Sequence, residues 1–117
     1  NVQALNNLAY LLADNFGEDR EALQFALQAY RLNPGDPRIM DTLGFVLLRN
    51  QRLEEADQLL TRARELLPEI PTVALHLAQV RLAREQPEQA RELLTEVVAQ
   101  GQPAEVEQAQ ELLDTIR

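Results

Sequence analysis

Few side chains in this chain could do chemistry. His76 is the only histidine among 117 residues, and cysteine is absent. Disulfide scaffolds, cysteine zinc sites and thiol catalysis are therefore excluded. A histidine that acts as a general base needs an orienting partner and a nucleophilic or acidic neighbour. The residues flanking His76 mark neither, so it reads as an exposed side chain on the side of its helix away from Leu77 and Ala78. No glycine loop could cradle a phosphate, and no HExxH motif could hold zinc. Asp14, Glu18 and Asp19 crowd around Gly17 in a way that suggests a calcium loop. The alternating ligand spacing of such a loop is missing, and a solvated turn is the expectation. No catalytic residue, cofactor or metal is expected.

Charge points the same way. Asp plus Glu number 19 against 11 basic residues, for a formal net charge of −8, and all the basic residues are arginine. Such a chain is a poor match for a phosphate backbone or an anionic membrane surface. No apolar run approaches the ~18 residues of a membrane span, and no secretory signal is visible. A protein or peptide partner is the remaining expectation.

The elements that would present any site are helices. Aromatic residues make up 4% of the chain while apolar residues reach 45%, a Leu- and Ala-rich mixture that suits packed helices. From Asp36 onward, Pro37 fits a first helical turn. Ile39, Met40, Leu43, Val46 and Leu47 then recur at helical spacing. After the polar run Arg49-Asn50-Gln51-Arg52, a second series runs Leu53, Ala56, Leu59, Leu60, Ala63, Leu66 and Leu67, and Pro68 stops it. This is a helical hairpin, and alone it could not bury its apolar faces.

The hairpin repeats. Ala22, Ala56 and Ala90 are evenly spaced, and Phe25, Leu59 and Leu93, then Ala29, Ala63 and Val97, keep the same step. That step, roughly 34 residues, is in the range of helical repeat arrays. Leu43 and Leu77 keep it too, whereas Leu8 precedes Leu43 by one position more, which places one extra residue near Phe16 in the first turn. The pattern predicts helices over about 2–14, 18–32, 37–49, 53–67, 71–84, 87–99 and 103–116. Gly17 and Gly101 suit the left-handed position after a helix end. The last helix sets Val106, Ala109, Leu112, Leu113 and Ile116 on one face. Glu105, Glu107, Glu111 and Asp114 cover the rest, as a cap exposing charge to water should. Val2, Leu5 and Leu8 lead into the first helix with no such cap. Either further repeats precede this edge in a longer chain, or it meets another subunit by self-association.

These residues resemble the tetratricopeptide repeat family. The first helices carry Leu5, Leu8, Ala9 and Leu12; then Met40, Leu43, Gly44 and Leu47; then Ala74, Leu77 and Ala78, with Arg81 where an apolar residue is usual. The second helices carry Ala22, Ala26, Ala29 and Pro34; Ala56, Leu60, Ala63 and Pro68; and Ala90, Leu94 and Val97, with Gln102 at the proline site and Pro103 after it. Gly44 and Ala56 are small where two helices should cross closely. The resemblance implies an all-α, right-handed superhelix in a single domain, residues 1–117. It would hold three units (about 2–36, 37–70 and 71–102) and a capping helix (about 103–117). Asn6-Asn7-Leu8-Ala9-Tyr10 and Asp41-Thr42-Leu43-Gly44 look like bacterial members, some of them lipoproteins tied to exopolysaccharide or protein-sorting loci.

The resemblance also implies a function. First helices line a concave groove that holds an extended peptide or a partner helix, with no enzymatic role. The groove residues are then Asn6, Tyr10, Arg38, Asp41, Phe45, Arg49, His76 and Gln79. Tyr10 and Phe45 would be aromatic anchors and the others polar selectors. The other reading of Phe45 is that it packs between neighbouring first helices. Some family members hold acidic C-terminal tails with groove lysines, and a chain without lysine is not expected to. The alternatives are a structural spacer or oligomerisation segment of a longer solenoid, or the regulatory arm of an enzyme.

Overall fold

A computed structural model describes residues 1–116, so the last position of the expected cap, Arg117, lies outside the described residues. The described residues form seven α-helices: α1 (Val2–Asn15), α2 (Asp19–Leu32), α3 (Pro37–Arg49), α4 (Leu53–Leu66), α5 (Pro71–Ala83), α6 (Pro87–Gln100) and α7 (Pro103–Thr115). Each starts and stops within one residue of the expected bounds. Proline opens α3, α5, α6 and α7, where its missing N–H costs no intrahelical bond. Asp36 caps α3 by accepting from the Arg38 N–H at 2.9 Å, and Asn1 caps α1 by accepting from the Ala4 N–H at 3.0 Å. Among the described residues no helix is long and apolar enough to cross a membrane.

The turns inside the hairpins follow the repeat down to the backbone. Gly17, Gln51 and Glu85 are equivalent positions, one repeat step apart, and share a left-handed φ of 64°, 64° and 60°. Just beyond them, the N–H groups of Glu18, Arg52 and Gln86 donate to the carbonyls of Leu12, Leu47 and Arg81 at 3.0, 2.9 and 2.8 Å. The first of these bonds closes a longer loop than the other two, which is the extra residue expected near Phe16. Gly101 departs from expectation. Its φ is −78°, so it is not left-handed. Glycine serves there because an added Cβ would lie 2.7 Å from the Val97 carbonyl oxygen.

The helices pair as α1 with α2, α3 with α4 and α5 with α6, and α7 packs on α6. Each second helix also packs on the next first helix, α2 on α3 and α4 on α5. The odd helices touch in series, α1 to α3 to α5 to α7, whereas among the described residues the backbones of the even helices α2, α4 and α6 do not pack on one another. A stack that is closer on one side than the other must curve. The result is an all-α helical-repeat superhelix with α1, α3, α5 and α7 on its inner side.

Close crossing holds each hairpin. Ala9, Ala22, Ala26, Ala56, Ala78 and Ala90 are fully buried. At Gly44 a Cβ would fall 2.5 Å from Leu60 Cγ and 2.8 Å from Leu60 Cδ2, inside van der Waals contact with a side chain that is itself 0% exposed. Leu43 and Leu77 are 3% and 4% exposed beneath α2 and α4, while their counterpart Leu8 is 38% exposed on α1.

Arg81, in an apolar slot of the repeat, is held by polar partners. Its Nε donates to Asp57 Oδ2 at 2.8 Å, and one terminal nitrogen donates to Asp57 Oδ1 at 3.1 Å and Thr61 Oγ1 at 3.2 Å. The other terminal nitrogen donates to Gln89 Oε1 at 2.5 Å, and Arg84 adds a bond to Asp57 Oδ2 at 3.0 Å. Burial pushes the Asp57 carboxyl up, but the bonds and charge of Arg81, with Arg84 and Thr61, outweigh it and hold the pKa below the usual aspartate value. Val97, where the repeat usually has alanine, is fully buried.

Three outcomes test this packing. Gly44→Ala should cost about 1–3 kcal/mol by overpacking against Leu60, read as a lower midpoint in thermal or urea unfolding. Gln51→Gly and Glu85→Gly should each stabilise by up to ~1 kcal/mol, since non-glycine residues are strained at left-handed φ, and raise Tm by several degrees. Asp57→Ala should cost about 2–3 kcal/mol by stranding a mostly buried guanidinium. Because the folded Asp57 pKa is lowered, its contribution is complete above the ordinary value of ~4 and is lost as pH falls through the folded value. Asp57→Asn should therefore flatten the acid limb of a stability–pH curve.

Candidate functional site

The inner side gathers four of the expected groove residues at one place. Tyr10 on α1, Phe45 on α3, and His76 and Gln79 on α5 line a cleft of about 210 Å³. Helical spacing explains the gathering: each lies a turn or less from its repeat's small or leucine position, on the inward face of a first helix.

Two expectations fail here. His76 is not exposed; it is 4% accessible and has the partner that its sequence neighbours did not reveal. Its Nδ1 lies 2.8 Å from Asp41 Oδ1 on α3. A carboxylate only accepts, so Nδ1 carries a proton, and Nε2 faces the Tyr10 hydroxyl in a long 3.5 Å contact. Phe45 is not an exposed anchor either. It is 6% accessible and belongs to the core. Its ring lies 5.1 Å from Tyr10, edge to face, and 4.6 Å from the His76 ring. It packs between neighbouring first helices, because α1, α3 and α5 approach closely enough for their rings to stack. Tyr10 alone of the two aromatics keeps part of its surface open.

The remaining expected residues are dispersed. Asp41 stands behind His76 and, with Arg38, lines a separate 270 Å³ cleft beside Leu67, Ile70 and Val73. Arg49 lies at the outer end of α3, 3.4 Å from Asp19, in a 400 Å³ cleft that Phe45 and Gln79 also line. Asn6 is 8% accessible, and its Oδ1 is buried without a hydrogen-bond partner. Gln79 Oε1 is likewise buried without one.

A further wall of the site comes from α7, which sequence reasoning assigned only to capping. Ala104, Glu105 and Gln108 form the far side of the 210 Å³ cleft, with Asp14 at the α1 end. Glu105 is not on a charged face turned to water. Its carboxylate accepts from Gln102 N–H at 3.1 Å and from the Thr72 hydroxyl. The repeat itself carries the signal for this. The step that leads from Ala22 to Ala56 also leads from Pro71 to Glu105, so α7 occupies the first-helix slot of a further unit and its inward positions join the groove.

Electrostatically the cleft is an acceptor. Arg and Lys are absent from its lining. The Tyr10 hydroxyl is pushed up to about 12 by burial first, and then by the carboxylates of Asp14, Asp41 and Glu105. Tyr10 therefore stays a neutral donor. The Asp41–His76–Tyr10 series is a polar chain joining α3, α5 and α1. Among the described residues no group of three or more His, Asp or Glu could hold a metal ion.

The chain is similar to known proteins in sequence and in fold. A tetratricopeptide repeat family model matches residues 47–113. A TPR repeat-containing protein of Pseudomonas aeruginosa is 39% identical over 79 residues, which are 68% of this chain and 13% of that protein's length. The crystal structure of the Yersinia enterocolitica type III secretion translocator chaperone SycD, in an alternative dimer, superposes with a TM-score of 0.78. That alignment is 18% identical and covers 98% of this chain and 90% of SycD, and so speaks to the fold alone. The family match takes in more than half of the residues and includes the Arg81 network and the α7 wall, and the chain belongs to the tetratricopeptide repeat family.

Proposed function

We propose that this repeat, as a protein-interaction scaffold of its family, holds a segment of a protein partner on its concave face, with a hydrogen-bond-donating or cationic side chain entering the 210 Å³ cleft between Tyr10 and α7. One observation carries the reading. The cleft is walled by four first-helix-type elements, and the carboxylates of Asp14 and Glu105 line it with no Arg or Lys beside them. Asp14 forms no ion pair among the described residues, and Gln79 Oε1 is buried with no donor. A buried acceptor without a partner costs about 1–3 kcal/mol, which a ligand N–H would recover. The apolar rings of Tyr10 and Phe45 and the side chain of Leu75 supply a surface for an aliphatic stem. The net charge of −8 favours encounter with a basic segment.

The groove residues act unequally in this reading. Tyr10 and Gln79 meet the ligand, His76 and Phe45 hold Tyr10 in place, and Asp41 orients His76. Arg38 and Arg49 lie at the two edges of the concave face, where they would select against a second cation.

Peptides selected from a random display library against the wild-type chain should carry Arg or Lys as their common feature. Asp14→Lys, an exposed change, should weaken a selected peptide at least ~10-fold, or about 1.4 kcal/mol, by titration calorimetry. An acidic consensus, or affinity indifferent to Asp14→Lys and Gln108→Lys together, would overturn the reading.

A further inference from the structure

We infer that His76 sets which way Tyr10 presents its hydroxyl to the concave cleft, so that proton uptake at His76 turns the cleft from accepting to donating and releases a cationic ligand. This regulation rests on the ligand reading of the concave cleft. Asp41 fixes the geometry. Its carboxylate accepts from His76 Nδ1 at 2.8 Å, so one ring proton is held on the side of α3 and a second can enter only at Nε2. The hydrogen-bonding neighbour of Nε2 is the Tyr10 hydroxyl. That hydroxyl has one proton to give. Opposite a bare Nε2 it donates to the ring and turns its lone pairs to the cleft. Opposite Nε2–H it accepts from the ring, and its own proton turns outward. Tyr10 keeps that proton in both states, because burial and the nearby carboxylates push its own ionisation up to about 12.

The surroundings of His76 accommodate both states. The residue is 4% accessible, and a charge buried so deeply persists only beside a partner, which Asp41 supplies. Asp14 from α1 and Glu105 from α7 line the same cleft, and no Arg or Lys does. On α3, Arg38 lies a turn from Asp41 and lines a different cleft. From α4 and α6, the other helices packed on α5, the charged groups that reach across are already paired, Asp57 with Arg81 and Arg84, and Arg64 with Glu96. The contact with Tyr10 also has slack. At 3.5 Å it is long, and a hydrogen bond from an ionised donor is shorter and stronger than a neutral one. Its closing draws Tyr10 toward α5 and leaves a positive ring in the wall of the cleft. Both effects oppose a ligand cation, and the reversed hydroxyl no longer accepts from one.

With one histidine and two tyrosines in the chain, NMR reads each partner separately. Proton–nitrogen correlation of the free wild-type chain between about pH 5 and pH 8 should show Nδ1 protonated throughout and Nε2 gaining a proton as pH falls. The Cζ shift of Tyr10 should move with the same midpoint, and that of Tyr30 on α2 should not. A peptide selected for its Arg or Lys should weaken below that midpoint by up to about tenfold per pH unit, because the ligand favours the state without the second proton and binding must expel it. His76→Asn, which keeps a donor for Asp41 and removes the titrating ring, should abolish this dependence. Tyr10→Phe, which leaves the ring charge with no hydroxyl to turn, should keep only part of it. No proton uptake at Nε2 while the chain stays folded, a Tyr10 shift indifferent to it, an affinity flat across it, or a full dependence surviving either substitution would overturn the inference. An acidic consensus among the selected peptides would overturn the ligand reading instead. The coupling of Tyr10 to His76 in the free chain, which needs no ligand, would then still be decided by the two shifts.

Discussion

The separation of crossing helices is the constraint from which the rest of this structure follows. Gly44 leaves no room for even one carbon beside Leu60, and the neighbouring crossings are floored with fully buried alanines. Small residues contribute little transfer free energy of their own. They let two backbones approach, so that leucines on either side reach across and are covered. Because that approach recurs in every repeat, each hairpin presents the same flank to the next. The inner helices then meet in series while the outer ones diverge. Curvature and the concave cleft both follow from where the chain is thin.

Most of this architecture was legible in the sequence, because it is periodic and local. Proline at first turns, alanine at crossings and the single added residue near Phe16 specify the helices and the loop that differs. Left-handed backbone at Gln51 and Glu85 is where the repeat overrode residue preference. Those positions inherit the geometry that Gly17 adopts without strain, so their residue types gave no sign of it. Gly101 is the opposite case: glycine is needed there for clearance from the Val97 carbonyl and not for its φ.

The site was less legible, for a physical reason. His76 sits in a helix whose face reads as apolar with one polar interruption, and such a residue is ordinarily solvent-facing. What buries it is Asp41, one repeat earlier, and the rings of Tyr10 and Phe45 from two other positions along the inner side. A hydrogen bond between residues 35 positions apart depends on how steeply the stack curves, and a single repeat does not encode that. The same holds for Phe45. Its face is exposed in an isolated hairpin and covered once α1 and α5 close over it. Glu105 follows the same logic: the acidic residues of α7 read as one charged outer face, whereas the helix's place in the period makes it a continuation of the inner row.

Arg81 shows how much chemical freedom the repeat leaves once the crossings are fixed. Leu47 and Arg81 hold equivalent places, one by apolar contact and the other by bonds to Asp57, Thr61 and Gln89. A buried ion pair contributes little net stability over a well-packed apolar group, so the polar version needs another justification than strength. Its direction supplies one. Bonds to Asp57 and Gln89 work at one relative placement of α4, α5 and α6, whereas leucine against leucine tolerates sliding. The first junction, that of α2 with α3 beside Leu47, has directional ties of its own, at its edge: Asn50 Nδ2 donates to the Asp19 carbonyl at 2.9 Å and Arg49 pairs with Asp19 at 3.4 Å. Both junctions thus fix the placement of their helices by polar bonds, and they differ in what fills the space between.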